Sequence, residues 1–163
     1  DAQLYFDHVR FGLNSKMNDL EASLGLEGVE QFWKTFNKRK ENLCYLLDKV
    51  KDLQQFAIFN LEEKDKNEVI CPHAFSILLK DPKFNCRKLK AFLEEKGIQC
   101  KRNFGSMPTQ HEAFAFLGYK QGDFPEAEYV GNHGIHFGIH QFLTREQLDY
   151  AAEQLHAYFK QFK

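Results

Sequence analysis

The stretch Phe11-Gly12-Leu13-Asn14-Ser15-Lys16-Met17-Asn18-Asp19-Leu20-Glu21-Ala22-Ser23 sets a tight Gly-x-Asn tip directly before a long helical pattern. Such a tip offers a side-chain amide and backbone N–H groups at a helix N-terminus, a place that suits an anion and phosphate above all. Asn14 also fits an ordinary turn residue, because its short amide tolerates left-handed geometry. Asn18 with Glu21 three positions on makes a capping box. From there Leu20, Leu24, Phe32, Phe36, Leu43, Leu46, Leu47 and Val50 recur at helical spacing. The pattern predicts a helix over residues 18–52, bent where Gly25 and Gly28 weaken it and allow close packing. A helix of that length exceeds what a small domain needs, so it reads as a link between two domains. The expected division is residues 1–55, carrying the connection and the long helix, and residues 56–163, a smaller α/β domain.

The chain has 163 residues, enough for a real core, and begins with Asp1 rather than Met, which reads as an excised or processed piece. Hydrophobic residues make up 43%, and 17 of them are Phe, which argues for a large apolar core or an interface. A net charge of −1 gives no electrostatic case for nucleic acid or an anionic membrane. Cys44, Cys71, Cys86 and Cys100 contain no C-x2-C pair, which argues against a zinc ribbon, and nothing resembles a signal peptide. Reduced thiols in the cytoplasm are the expectation. No apolar run approaches the ~20 residues of a membrane span.

Residues 60–67 read as a charged loop. Alternation of Phe75, Ile77 and Leu79 with Ala74, Ser76 and Leu78 predicts a strand within residues 69–80, ended by Asp81-Pro82. Leu89, Phe92 and Leu93 predict a short amphipathic helix over 85–96, closed by Gly97, and 98–102 a short strand. Residues 103–123 are loop-rich around a short helix near 110–116, and 127–132 add a helical turn. A further strand is expected in 134–140. Thr144 and Gln147 cap a last helix whose inner stripe is Leu148, Ala152, Leu155, Phe159 and Phe162. The sum is an α/β (α+β) layer, a short sheet covered by helices with a long helix leading in. The histidines His133, His136 and His140, with His111 and His73, raise a metal centre, but their spacing matches no zinc motif and no Cys lies nearby. Core or cleft histidines are the better reading.

Three blocks, in order, resemble the DegT/DnrJ/StrS sugar aminotransferases. The first is Gly12-Asn14-Met17 with its helix, ending in Phe36-Asn37-Lys38-Arg39-Lys40-Glu41-Asn42-Leu43. The second is Lys96 to Arg102 followed by Gly105-Ser106-Met107-Pro108-Thr109-Gln110-His111. The third is Asp123 to Val130, then Gly134 to His140 and Leu143-Thr144. The latter two look closest to the branch that includes sugar 3-dehydrases. Lys16 stands where the family usually has Arg, keeping charge but losing bidentate geometry, and Glu21-Ala22-Ser23 replaces Gln-Ala-Ala.

The resemblance implies the C-terminal small domain of the aspartate-aminotransferase fold (fold type I), preceded by an interdomain helix. It implies a parent enzyme that uses pyridoxal 5'-phosphate, is a cytoplasmic homodimer, and moves an amino group from an amino-acid donor to a nucleotide-linked keto sugar for polysaccharide biosynthesis. A sugar 3-dehydrase of the same family is one alternative, and a stand-alone α/β binding or regulatory module is another. Asn14 resembles the family Asn that reaches the cofactor phosphate of the neighbouring subunit. Lys16, Arg102, Gln110, His111, His136 and His140 are the substrate-side candidates, and Asn103, beside Arg102, could also meet a sugar or its nucleotide phosphates. The family's cofactor-binding lysine lies upstream of these blocks, and no Lys here has its context. No catalytic or metal-binding residue is therefore assigned, and this piece alone is expected to be inactive.

Overall fold

A computed structural model describes residues 15–59, 65, 67–103 and 108–162. The chain divides after Trp33 into two compact units, residues 1–33 and 34–163.

In the first unit the capping box forms as the sequence predicts. The Asn18 side chain accepts from Glu21 N at 2.9 Å, and Glu21 Oε2 accepts from Asn18 N at 3.1 Å. It opens helix α1, Asp19–Glu30. The predicted single helix is broken at Gln31, whose N–H is shared between the carbonyls of Glu27 and Val29, and α2 runs on from Phe32 to Lys49. The glycines are not the break: Gly25 and Gly28 stay helical, with open space where a Cβ would sit. No residue of α1 is buried, and Leu20, Leu24, Leu26 and Val29 are exposed.

The second unit is built on four antiparallel strands in the order β1-β2-β4-β3: β1 Ala57–Phe59, β2 Ala74–Leu79, β3 Cys100–Arg102 and β4 Gly134–Gly138. Strands β2 and β3 flank β4, so the strand–helix–strand unit seen in the sequence is a split one with a later strand inserted. Strand β1 was not foreseen, because three residues are too few to display alternation.

One face of the sheet is apolar. Phe75, Ile77, Leu79, Ile135, Phe137 and Cys100 point to it and are buried. Against them pack Leu43 and Leu46 of α2, Leu89 and Leu93 of α3 (Cys86–Glu95), and Leu148, Leu155 and Phe159 of α5 (Arg145–Phe159), with α4 (Pro125–His133) between the last two in the chain. Aromatic contacts tie this layer together, with Phe56 stacked on Phe159 at 5.1 Å and Phe84 edge-on to Phe56 at 5.4 Å. The Phe-rich composition is spent here, in line with the core expected of it. Asn85 (φ 53°) closes a 3-10 turn and caps α3 by accepting from Lys88 N at 3.0 Å. Thr144 and Gln147 form the second expected capping box, at the start of α5.

Helices α2 and α5 are also clamped at the surface. The Arg145 guanidinium lies 4.0 Å from the Tyr45 ring centroid, and the Tyr45 hydroxyl donates to Asp149 at 2.8 Å. Asn42, wholly buried, donates from Nδ2 to the His140 carbonyl at 2.9 Å while its Oδ1 has no partner. All four cysteines are free, with Cys86 and Cys100 buried; burial pushes the Cys100 thiol up to about 11.

Candidate functional site: the polar row across the sheet

Strand geometry sends alternate side chains to opposite faces, and it sorts the candidates. Arg102 lies on the helix side of β3, lining a small cleft with Cys86, Lys90 and Glu94, and donates to the Gly131 carbonyl at 3.1 Å and Asn132 Oδ1 at 3.3 Å. His136 lies on the other face, which the large helices leave open. The two are not brought together.

On that open face Ser76, His136 and Lys101 sit side by side on β2, β4 and β3, because Ser76 pairs with His136 and Lys101 with His136 in the ladder. Asn103, just past β3, extends the row: its N–H donates to the Gly134 carbonyl at 2.9 Å. Its amide bridges two strands, with Nδ2 donating to Ser76 Oγ at 3.1 Å and Oδ1 2.8 Å from His136 Nδ1. Burial holds the His136 pKa below its ordinary value, helped by the positive charge of His73 and Lys101. Gly134 leaves the room Asn103 needs: a Cβ there would lie 2.3 Å from Asn103 Nδ2 and 2.5 Å from the Val130 carbonyl. Ser76 was not singled out in the sequence, and the bond that joins it to Asn103 was not foreseen. The signal was the register of β2 with β4, a pairing across some sixty residues that local patterning does not carry.

His140 is exposed beyond β4: its Nδ1 accepts from Phe142 N at 3.2 Å, which leaves Nε2 as the protonated nitrogen of the neutral ring. It borders a groove of about 550 Å³ between the Gly97–Gln99 turn and α5, lined chiefly by Ile98, Phe137, Leu143, Leu148 and Ala151. Gln110 holds the 108–124 loop, donating to the Lys120 carbonyl at 2.8 Å and Glu128 Oε1 at 2.7 Å. That bond, with the N–H groups of Gly122 and Phe124, holds the Glu128 carboxyl below its usual range. His111 precedes a 3-10 turn over Glu112–Leu117 and is exposed, as is Lys16 ahead of α1. Asn14 lies outside the described residues. Among the described residues no group of three His, Cys, Asp or Glu side chains could hold a metal ion.

The sequence profile of the DegT/DnrJ/EryC1/StrS aminotransferases matches residues 1–156. The chain belongs to this family. It is 27% identical over 158 residues to the lipopolysaccharide biosynthesis protein RfbH of Salmonella typhimurium, a match covering 94% of the chain and 35% of that protein. It superimposes with a TM-score of 0.74, at 25% identity, on GDP-4-keto-6-deoxymannose-3-dehydratase with bound GDP-perosamine, covering 93% of the chain and 39% of that structure. An aminotransferase from Psychrobacter cryohalolentis, 16% identical, aligns with a TM-score of 0.83 over 99% of this chain and 43% of its own. The expected α/β architecture is thus that of the fold type I aminotransferases. The chain spans between 35% and 41% of the length of the curated relatives it matches.

Relatives of known structure handle a pyridoxal cofactor. The described residues of this family member do not by themselves make a site for it. No described lysine is buried, and the groove beside α5 has no lysine in its wall. Among the described residues no helix is long and apolar enough to cross a membrane.

Proposed function

We propose that this chain is the C-terminal small domain of a pyridoxal-phosphate enzyme that transfers an amino group from an amino acid to a nucleotide-linked keto sugar. The family match over residues 1–156 carries this reading. The likeness to a lipopolysaccharide biosynthesis protein supports a place in polysaccharide synthesis. The complete protein would be a cytoplasmic homodimer. Residues 1–55 would join it to the larger domain, and Asn14 would reach the cofactor phosphate of the partner subunit. Residues 56–163 would wall the substrate cleft, with Arg102, Gln110, His111, His136 and His140, joined by Lys16 of the first segment, as the substrate-side set. Of these, Arg102 and Gln110 each also hold a neighbouring loop or helix end through the bonds described above.

A second reading, sugar 3-dehydration, is favoured by one observation: the 25% identity to a structure of GDP-4-keto-6-deoxymannose-3-dehydratase. The chemistry of both readings begins from the same cofactor, and the residue that separates them falls outside the three matching blocks.

Asn14→Ala in the complete protein tests the role of this chain. A hydrogen bond to a charged phosphate contributes about 1.5–3 kcal/mol, so cofactor affinity is expected to fall about ten- to hundredfold. Mixing this variant with one lacking the cofactor-binding lysine should restore one good site per heterodimer. Wild-type retention of cofactor through dialysis would reduce Asn14 to a turn residue, and failure to complement would contradict donation across the dimer.

A further inference from the structure

The polar row on the open face of the sheet is held by one amide. Asn103 has Nδ2 3.1 Å from the Ser76 hydroxyl and Oδ1 2.8 Å from His136 Nδ1. The backbone of Asn103 is pinned as well, through its N–H to the Gly134 carbonyl. Gly134 leaves no Cβ to displace the amide. We propose that Asn103 is a positioning residue: it locks His136 in the Nδ1–H form and so turns Nε2 into a hydrogen-bond acceptor for a sugar hydroxyl lying on the open face of the sheet.

The ligand class rests on the nucleotide-sugar reading above; the positioning of His136 does not. An imidazole left to itself interconverts between two tautomers, one offering a donor at Nε2 and the other a lone pair. Fixing the second form removes that choice before the ligand arrives, which is how a supporting hydrogen bond sharpens recognition. The neighbours suit a polyol carrying an anion. Lys101 lies beside His136 on β3 and Ser76 on β2, so an ammonium, an acceptor nitrogen and a hydroxyl stand in register on three adjacent strands. At about 4.8 Å per strand the row spans about 10 Å, room for one sugar ring with a substituent. A cationic imidazole would offer a hydroxyl no acceptor. Burial of His136, with His73 and Lys101 as its positive neighbours, disfavours that form. His140, four residues on, has its Nδ1 engaged as an acceptor by Phe142 N and presents a donor instead. The two histidines are therefore not interchangeable, although the sequence offers them as a pair.

Long-range 1H–15N spectra of the 163-residue chain, labelled at histidine, test this. His136 is identified by the signal lost in His136→Gln. At neutral pH His136 is expected in the Nδ1–H form, Asn103→Ala should release it to a mixture richer in Nε2–H, and Asn103→Asp should restore Nδ1–H because a carboxylate still accepts that proton. GDP-mannose is the probe for the ligand. It should shift the His136 Nε2 resonance and bind Asn103→Ala about two- to tenfold more weakly, the loss of about one neutral hydrogen bond. Circular dichroism of each variant separates this from unfolding. A wild-type His136 protonated at Nε2 would overturn the inference, as would GDP-mannose binding that leaves Nε2 unperturbed. Complete failure of GDP-mannose to bind would overturn the sugar-hydroxyl role of His136 in this chain, while the tautomer spectra, which need no ligand, decide the role of Asn103 on their own.

Discussion

At the scale of single residues, the open face of the sheet depends on one missing Cβ. Gly134→Ala would place a methyl 2.3 Å from Asn103 Nδ2 and 2.5 Å from the Val130 carbonyl. One of the two must move, and overpacking of this kind costs about 1–3 kcal/mol. Urea unfolding of Gly134→Ala should show a loss of that size, whereas Gly25→Ala, with open space around it, should be neutral or stabilising. His136 makes stability depend on pH in a definite sense. The unfolded chain takes up the proton at about 6.5. In the folded chain burial, with His73 and Lys101 facing the ring, delays protonation to lower pH. Between the two values the unfolded state binds more protons, so stability is retained above about 6.5 and falls as pH drops through that window. His136→Gln should flatten this part of the stability–pH curve; an unchanged slope would show that His136 does not titrate differently in the two states. The histidine itself was visible in the sequence. Asn103 was visible too, as a possible sugar contact, but its bonds to His136 and Ser76 were not, because a serine in a strand carries no local mark of a network that only long-range register assembles.

At the scale of elements, capping chemistry was the most legible signal. Both boxes, Asn18 with Glu21 and Thr144 with Gln147, stand where the spacing placed them. Their interactions are local, within three residues, so sequence alone suffices. The break at Gln31 and the strand β1 were missed for opposite reasons: no glycine or proline marks the first, and the second is too short to show a period. Asn85 combines two demands, a left-handed backbone and a cap for α3. Asn85→Ala loses the cap and adds backbone strain, a cost of about 1–2 kcal/mol, while Asn85→Gly removes the strain and should cost only about a few tenths. Calorimetry should rank the melting temperatures wild type, Gly, Ala. An alanine variant as stable as the glycine one would mean the left-handed geometry carries no weight.

At the scale of the whole molecule, the second unit has a continuous core, while the first presents apolar side chains to solvent. Leu20, Leu24, Leu26 and Val29 are 74%, 70%, 62% and 72% exposed. Large apolar side chains exposed along one helix in this number point to an interface, and each one withdrawn from water contributes about 1.5–3 kcal/mol. The chain is therefore expected to self-associate through residues 17–36 in sedimentation experiments, and Leu20→Glu with Leu24→Glu should shift it towards monomer. A monomer at high concentration would contradict this. The central claim is the activity of the complete protein, and product analysis tests it most directly. The purified protein, loaded with pyridoxal phosphate, is given L-glutamate and GDP-4-keto-6-deoxymannose, and the nucleotide sugar is followed by mass spectrometry. Replacement of the keto oxygen by an amino group, with release of 2-oxoglutarate, is the predicted result. Loss of the 3-hydroxyl would assign the protein to the dehydrase reading, and an unaltered sugar, across GDP-, UDP- and dTDP-linked keto sugars alike, would contradict the account.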